Sequence, residues 1–166
     1  MKIHPTAFVA PTASVMGDVT LGEDASVWYQ CVLRGDIAPI TIGARSNIQD
    51  LTMVHVDVDL PCVIGEDVVV GHRCILHGCT IENGSLIGMG AIVLNNARIG
   101  AGSVIGAGAV VTEGKVIPPG SVVLGAPAKV VKPVDETLRQ RVLEGVTHYV
   151  ELARRHRRGG FPLVRP

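Results

Sequence analysis

Aromatic residues are nearly missing from this chain: they make up 3% of its 166 residues, against 47% for all hydrophobic types. A core with so few rings must be filled by Val, Ile, Leu and Ala, which suits narrow and regular packing. Net charge is missing too. Fifteen basic and fifteen acidic residues cancel, so no global field draws in nucleic acid or an anionic membrane. No apolar run approaches the roughly 20 residues of a membrane span. The opening MKIHPTAFVAP has no uninterrupted apolar stretch of the secretory kind. The cysteines, Cys31, Cys62, Cys74 and Cys79, show no CxxC spacing. Cys31 and Cys74 fall at inward positions of a six-residue repeat and read as small buried hydrophobes, not as disulfides or ligands. The expectation is a cytoplasmic chain of one domain with a terminal appendage, without nucleic-acid or membrane partners.

The repeat itself is the dominant signal. Aliphatic residues recur at six-residue steps: Ile3, Val9, Val15, Leu21, Val27 and Leu33. After a three-residue insertion come Ile42, Ile48 and Val54, and a longer excursion, VDVDLPCV, precedes Ile64, Val70 and Leu76. One step shortens to five, and the series resumes at Ile81, Ile87, Val93, Ile99, Ile105, Val111, Ile117 and Val123. A short strand and a turn explain it: strand side chains alternate faces, so the aliphatic residue points in and its immediate neighbours point out. Glycine, Asn and Asp tolerate the tight corners. Six residues cannot bury a core alone, so successive units must stack, and a helix is excluded by the period.

These hexads resemble the hexapeptide-repeat family over roughly residues 3–130. The resemblance implies an all-β solenoid over 1–132, a left-handed parallel β-helix of about seven triangular coils at roughly 4.8 Å each. The left hand comes from the resemblance alone, because the general rule for parallel crossovers predicts the opposite. Residues 133–160 read instead as a C-terminal α-helix packed on a flat face of the prism. Asp135 is its expected N-cap and Glu136 lies in the first turn. Leu138, Val142, Val146, Tyr149 and Ala153 share one face. The basic run Arg154, Arg155, Arg157 and Arg158 reads as a solvated helix end. The tail 161–166, FPLVRP, carries no assignment.

Counting hexads from Ile3, with every third on the same face, puts Val54 and Leu76 one coil apart on one face. His55 and His77 follow them directly, so both point outward, stacked one strand spacing apart, about 4.8 Å. His72 belongs to the neighbouring face, around a corner, out of reach of the pair within its own chain. Three prisms about a threefold axis would bring it to a neighbour's pair in three equal sites. Three neutral imidazoles with an open position describe a catalytic zinc site. His4, His148 and His156 lack the pattern and read as ordinary surface or helix residues. Arg34 occupies the same outward position one coil below His55, with Asp36 able to pair with it. Gln49 shares His72's face, and Asp50 shares its position one coil away, as an acceptor for its ring.

LRGD, RSNIQD, His55 and the GH-x4-H run resemble the gamma-class carbonic anhydrases. The resemblance implies a homotrimer acting on carbon dioxide and bicarbonate, with His55 and His77 of one chain and His72 of its neighbour as metal ligands. It also implies site roles for Arg34, Asp36, Asn47 and Gln49, and for Tyr149 as a tyrosine brought to the site. For Arg34 and Asp36 an assembly salt bridge, and for Tyr149 core packing, compete with those roles. Zinc would lower the pKa of bound water from about 15.7 to near 7, giving hydroxide to attack carbon dioxide; imidazole ligands suit Fe and Co as well. Two glutamates of well-known members are absent, replaced by Ile37 and Val58. Asp57 or Asp59 could substitute as proton acceptors. Two alternatives stay open: a non-catalytic or weakly active metal or siderophore binder, and an acyltransferase.

Overall fold

The computed structural model describes residues 1–162, so the last four residues of the 161–166 tail lie outside the described residues. The hexads wind into the left-handed parallel β-helix that their spacing and resemblance imply. Every inward position in the count pairs with the next on its own face. The first face stacks Ile3, Leu21, Ile42, Ile64, Ile81, Ile99 and Ile117. The second stacks Val9, Val27, Ile48, Val70, Ile87, Ile105 and Val123. The third stacks Val15, Leu33, Val54, Leu76, Val93 and Val111. From Leu21 onward these side chains are at most 2% exposed, each contributing about 1.5–3 kcal/mol by leaving water. All four cysteines are free and buried.

The three breaks in the six-residue step fall at one corner, between the third and first faces, in three consecutive coils. In the lowest, Val32–Ile42 runs round the corner as one strand, and residues 36–39 loop out where the register jumps from Gly35 to Ile40. Gly17 makes this possible. Its φ is +82°, and a Cβ there would lie 2.1 Å from the Gly35 carbonyl oxygen. In the next coil, Asp57 and Leu60 close a tight hairpin. In the third, the chain takes the five-residue step through Gly78, at φ +50°.

The helix spans Glu136–Arg157, and the Asp135 side chain accepts the Leu138 N–H at 2.9 Å. It lies on the second face. Val142 and Val146 pack on Val69 and Val104, and Ala153 on Phe8 and Trp28. Ahead of it, Lys129–Pro133 pairs antiparallel with Ser121–Leu124, a departure from the parallel pattern expected through residue 132; it covers the last sheet edge.

The helix end departs from its sequence reading. Arg154 pairs with Asp24 at 2.7 Å, and Arg157 donates to the carbonyls of Pro5 and Thr6. Two of the four arginines thus tie the helix to the first coils. His156 is a helix residue, and its ring also packs inward, 5.6 Å from Phe8, 5.0 Å from Trp28 and 4.5 Å from Phe161. Its Nδ1 meets the Tyr29 hydroxyl at 2.9 Å. The few aromatic residues therefore gather at this junction, outside the aliphatic lumen. Among the described residues no helix is long and apolar enough to cross a membrane.

Candidate metal centre

His55 and His77 stand in direct register on the third face, with Arg34 in register below them. Nδ1 of His55 lies 3.0 Å from Nε2 of His77. Asp36, carried back by the 36–39 loop, pairs with Arg34 and places Oδ1 3.1 Å from Nε2 of His55. The hydrogen bond from Arg34 holds the Asp36 carboxyl below its ordinary range, and the His55 contact adds to it. On the other side, Nδ1 of His77 meets Oδ1 of Asn95 at 2.5 Å. Asn95 in turn donates from Nδ2 to Asp57 at 2.9 Å.

These partners decide where the ring protons sit. An ionised carboxylate only accepts, so Asp36 takes the Nε2–H of His55 and leaves Nδ1 bare. The Asn95 carbonyl takes the Nδ1–H of His77 and leaves Nε2 bare. Two lone pairs then face each other across 3.0 Å. Positive charge stabilises such an arrangement, whether from the Arg34 guanidinium, whose Nη2 lies 3.5 Å from Nδ1 of His55, from a shared proton or from a metal cation. Imidazoles whose outer N–H groups are held by acceptors suit metal ligation, so the donor chemistry fits a divalent cation.

His72 sits around the corner, two residues past the inward Val70. Asp50 holds the equivalent place one coil below, and its Oδ2 lies 3.0 Å from Nδ1 of His72. The expected pairing of Asp50 with the ring is therefore present. Among the described residues, one chain holds no group of three or more His, Cys, Asp or Glu side chains fit for a metal. The structure brings His55 and His77 together and leaves His72 apart.

Asn47 and Gln49 lie on the helix-covered second face. Gln49 is 5% exposed and donates from Nε2 to Oδ1 of Asn47 at 3.0 Å. Asn47 is fully buried, and its Nδ2 has no hydrogen-bond partner; leaving such a donor unpaired costs about 1–3 kcal/mol. Tyr149, half-buried on the helix, meets Trp28 edge-on with centroids 5.3 Å apart. Burial pushes its phenol up, and the charge of Asp50 adds to the shift. In a single chain these three residues accompany Asp50, not the His55/His77 pair.

Asp57 is a poor stand-in for the missing glutamates. The Val58 backbone N–H, then Asn95, hold its carboxyl below the ordinary range, which weakens it as a proton acceptor near neutrality. Ile37 and Val58 are 52% and 67% exposed. Asn95 carried no mark in the sequence, apart from lying one coil above the five-residue step.

A family model for bacterial transferase hexapeptide (six repeats) matches residues 78–113. The chain is 48% identical over 135 residues to a carbonic anhydrase of Geobacillus kaustophilus, covering 81% of this chain and 74% of that one. It is 41% identical over 160 residues to the mitochondrial gamma carbonic anhydrase 2 of Arabidopsis thaliana, covering 93% of this chain but 58% of that relative's length. The crystal structure of a Bacillus cereus protein, described as a candidate acetyltransferase, matches with a TM-score of 0.92 at 42% identity, over 93% of this chain and 90% of that one. With identity of this order sustained over most of both chains, the chain belongs to the gamma-carbonic-anhydrase-like branch of the hexapeptide-repeat family.

Proposed function

We propose that this protein is a metal-dependent carbonic anhydrase-like enzyme, interconverting carbon dioxide and bicarbonate at sites shared between subunits of a homotrimer. The observation that carries the reading is the approach of Nδ1 of His55 to Nε2 of His77, 3.0 Å apart, with acceptors on the outer nitrogen of each ring. His55 and His77 would hold the cation together with His72 of the partner subunit. Zinc is the proposed ion, with iron or cobalt compatible with the same ligands. When bound, such a cation supplies Lewis-acid activation of water for attack on carbon dioxide.

The surface supports a shared site. Met53 and Ile75, beside the histidine pair, are 37% and 41% exposed, and Leu51 and Met89, near His72, are 52% and 60% exposed. Large apolar side chains grouped on two neighbouring surfaces mark an interaction face, here one for further copies of the chain. Burial of that face would enclose Arg34 and Asp36, whose pairing then offsets their desolvation.

The chain's own residues divide the remaining work. Arg34 and Asp36 orient His55, and Asp50 orients His72. Gln49 and Tyr149, on the His72 side, are the proposed hydrogen-bonding groups for bicarbonate, with Asn47 setting the direction of the Gln49 amide. With Ile37 and Val58 in place of acidic groups, proton release passes to buffer and limits turnover.

The test is metal analysis of protein purified without chelators, followed by stopped-flow carbon dioxide hydration in buffers of differing proton-accepting strength. The reading expects about one cation per chain and a rate that rises with buffer. Bound metal with no rate above background would leave a metal-binding module. The description of the Bacillus cereus relative favours one other activity, acyl transfer, which predicts saturable acetyl-CoA binding.

A further inference from the structure

We propose that Asn95 and Asp57 act as a coupled pair of positioning residues that fix the metal-binding tautomer of His77. This rests on the reading of His55 and His77 as ligands. Asn95 can present either its oxygen or its nitrogen to the His77 ring, and the choice sets which ring nitrogen is bare. Asp57 removes the ambiguity. An ionised carboxylate has only acceptors, so Nδ2 of Asn95 turns to Oδ2 of Asp57 at 2.9 Å. Oδ1 is then left 2.5 Å from Nδ1 of His77, and Nε2 faces His55. Asp57 is itself anchored: its Oδ1 accepts the Val58 N–H at 2.8 Å, inside the hairpin closed with Leu60.

Gly78 keeps this corner open. A Cβ there would lie 2.8 Å from Oδ1 of Asn95 and 3.3 Å from Cβ of Leu60. Two breaks in the repeat thereby acquire a purpose. The excursion between Val54 and Ile64 delivers Asp57, and the five-residue step through Gly78 leaves room for the Asn95 carbonyl above it. With both oxygens engaged, Asp57 serves as an anchor and not as a proton acceptor.

The test uses full-length protein and two readouts. The first is the His77 tautomer in the metal-free protein, read by long-range proton–nitrogen NMR at about pH 8, above the ordinary imidazole range. Wild type should show the Nδ1–H form, and Asn95→Ala should move toward the Nε2–H form. The second is zinc or cobalt affinity, measured against a competing chelator. Asn95→Ala and Asp57→Ala should each weaken it about 10–100-fold, and combining them should add little more because they act as a unit. The exchange Asn95→Asp with Asp57→Asn reverses the hydrogen bond between positions 95 and 57 but keeps an acceptor on the Nδ1–H of His77, so it should recover most of the affinity, which a folding defect would not allow. An unchanged tautomer together with unchanged affinity in Asn95→Ala would overturn the proposal. Wild type that binds no metal would be a separate failure, of the ligand reading; the metal-free tautomer still decides the role of Asn95.

Discussion

Asp50 stands one coil beneath His72, and its Oδ2 lies 3.0 Å from Nδ1 of the ring. As an acceptor, Asp50 takes the Nδ1–H of His72, which turns Nε2 outward as the nitrogen proposed to meet a cation. Removing the acceptor, in Asp50→Ala, should weaken zinc binding about 10–100-fold, while His72→Ala should abolish it. Equilibrium dialysis with metal analysis reads both, and small-angle scattering should show each variant keeping the wild-type assembly. Undiminished metal binding in His72→Ala would remove that residue from the ligand set.

Ile37 tips the 36–39 loop beside Asp36 and is 52% exposed. A carboxylate placed there has solvent access and lies near the histidine pair. Ile37→Glu should raise carbon dioxide hydration in weak buffer, by up to about 10²-fold if proton transfer limits turnover, with little gain in strong buffer. Stopped-flow rates across a buffer series decide it; equal gains at all buffer strengths would point away from proton transfer.

Gly17 and Gly35 meet so closely that a Cβ on Gly17 would sit 2.1 Å from the Gly35 carbonyl oxygen. Gly17→Ala also forces an L side chain to φ +82°. The variant should lose more than about 2 kcal/mol of stability in denaturant titration. Because the same contact aims the loop that carries Asp36, the surviving folded fraction should bind metal more weakly.

His156 is held below its ordinary pKa by burial first, with the positive charge of Arg155 adding to the shift and Asp50 opposing it. Its other neighbours are the Tyr29 hydroxyl and the rings of Phe8, Trp28 and Phe161. A base with a depressed folded pKa stays neutral where the unfolded chain is already protonated. Its contribution is therefore complete above about pH 6.5 and is lost as pH falls through the folded value. Melting temperature should drop through this window, and His156→Phe should flatten the drop. A wild-type melting curve that does not change between about pH 7.5 and 5 would contradict this account.

The architecture could be read from spacing because each inward aliphatic residue is one unit of a periodic core, and Ile48 over Val27 is fixed by the same rule as Ile87 over Val70. The His55/His77 stack followed from that count, as did the pairing of Asp50 with His72. Asn95 could not be read this way. Its contact with His77 arises from a break in the period, and the size of the break does not say which neighbour will fill the space. His156 was hidden for another reason: its partners Phe8, Trp28 and Tyr29 come from the opening coils, and only the helix's descent along the second face brings them together. The Arg154–Asp24 and Arg157–Thr6 contacts escaped the sequence for the same cause.

The most direct test of a site shared between subunits is complementation by mixing. Chains carrying His72→Ala and chains carrying His55→Ala should each bind no metal as pure trimers. Co-refolded at equal amounts, they should regain it at about one site in four, because a His72→Ala chain must precede a His55→Ala chain in the ring. Metal content measured on the purified mixture near that fraction would bear out the account. Metal retained by pure His72→Ala, or none regained in mixed trimers of variants that each keep the wild-type assembly, would contradict it.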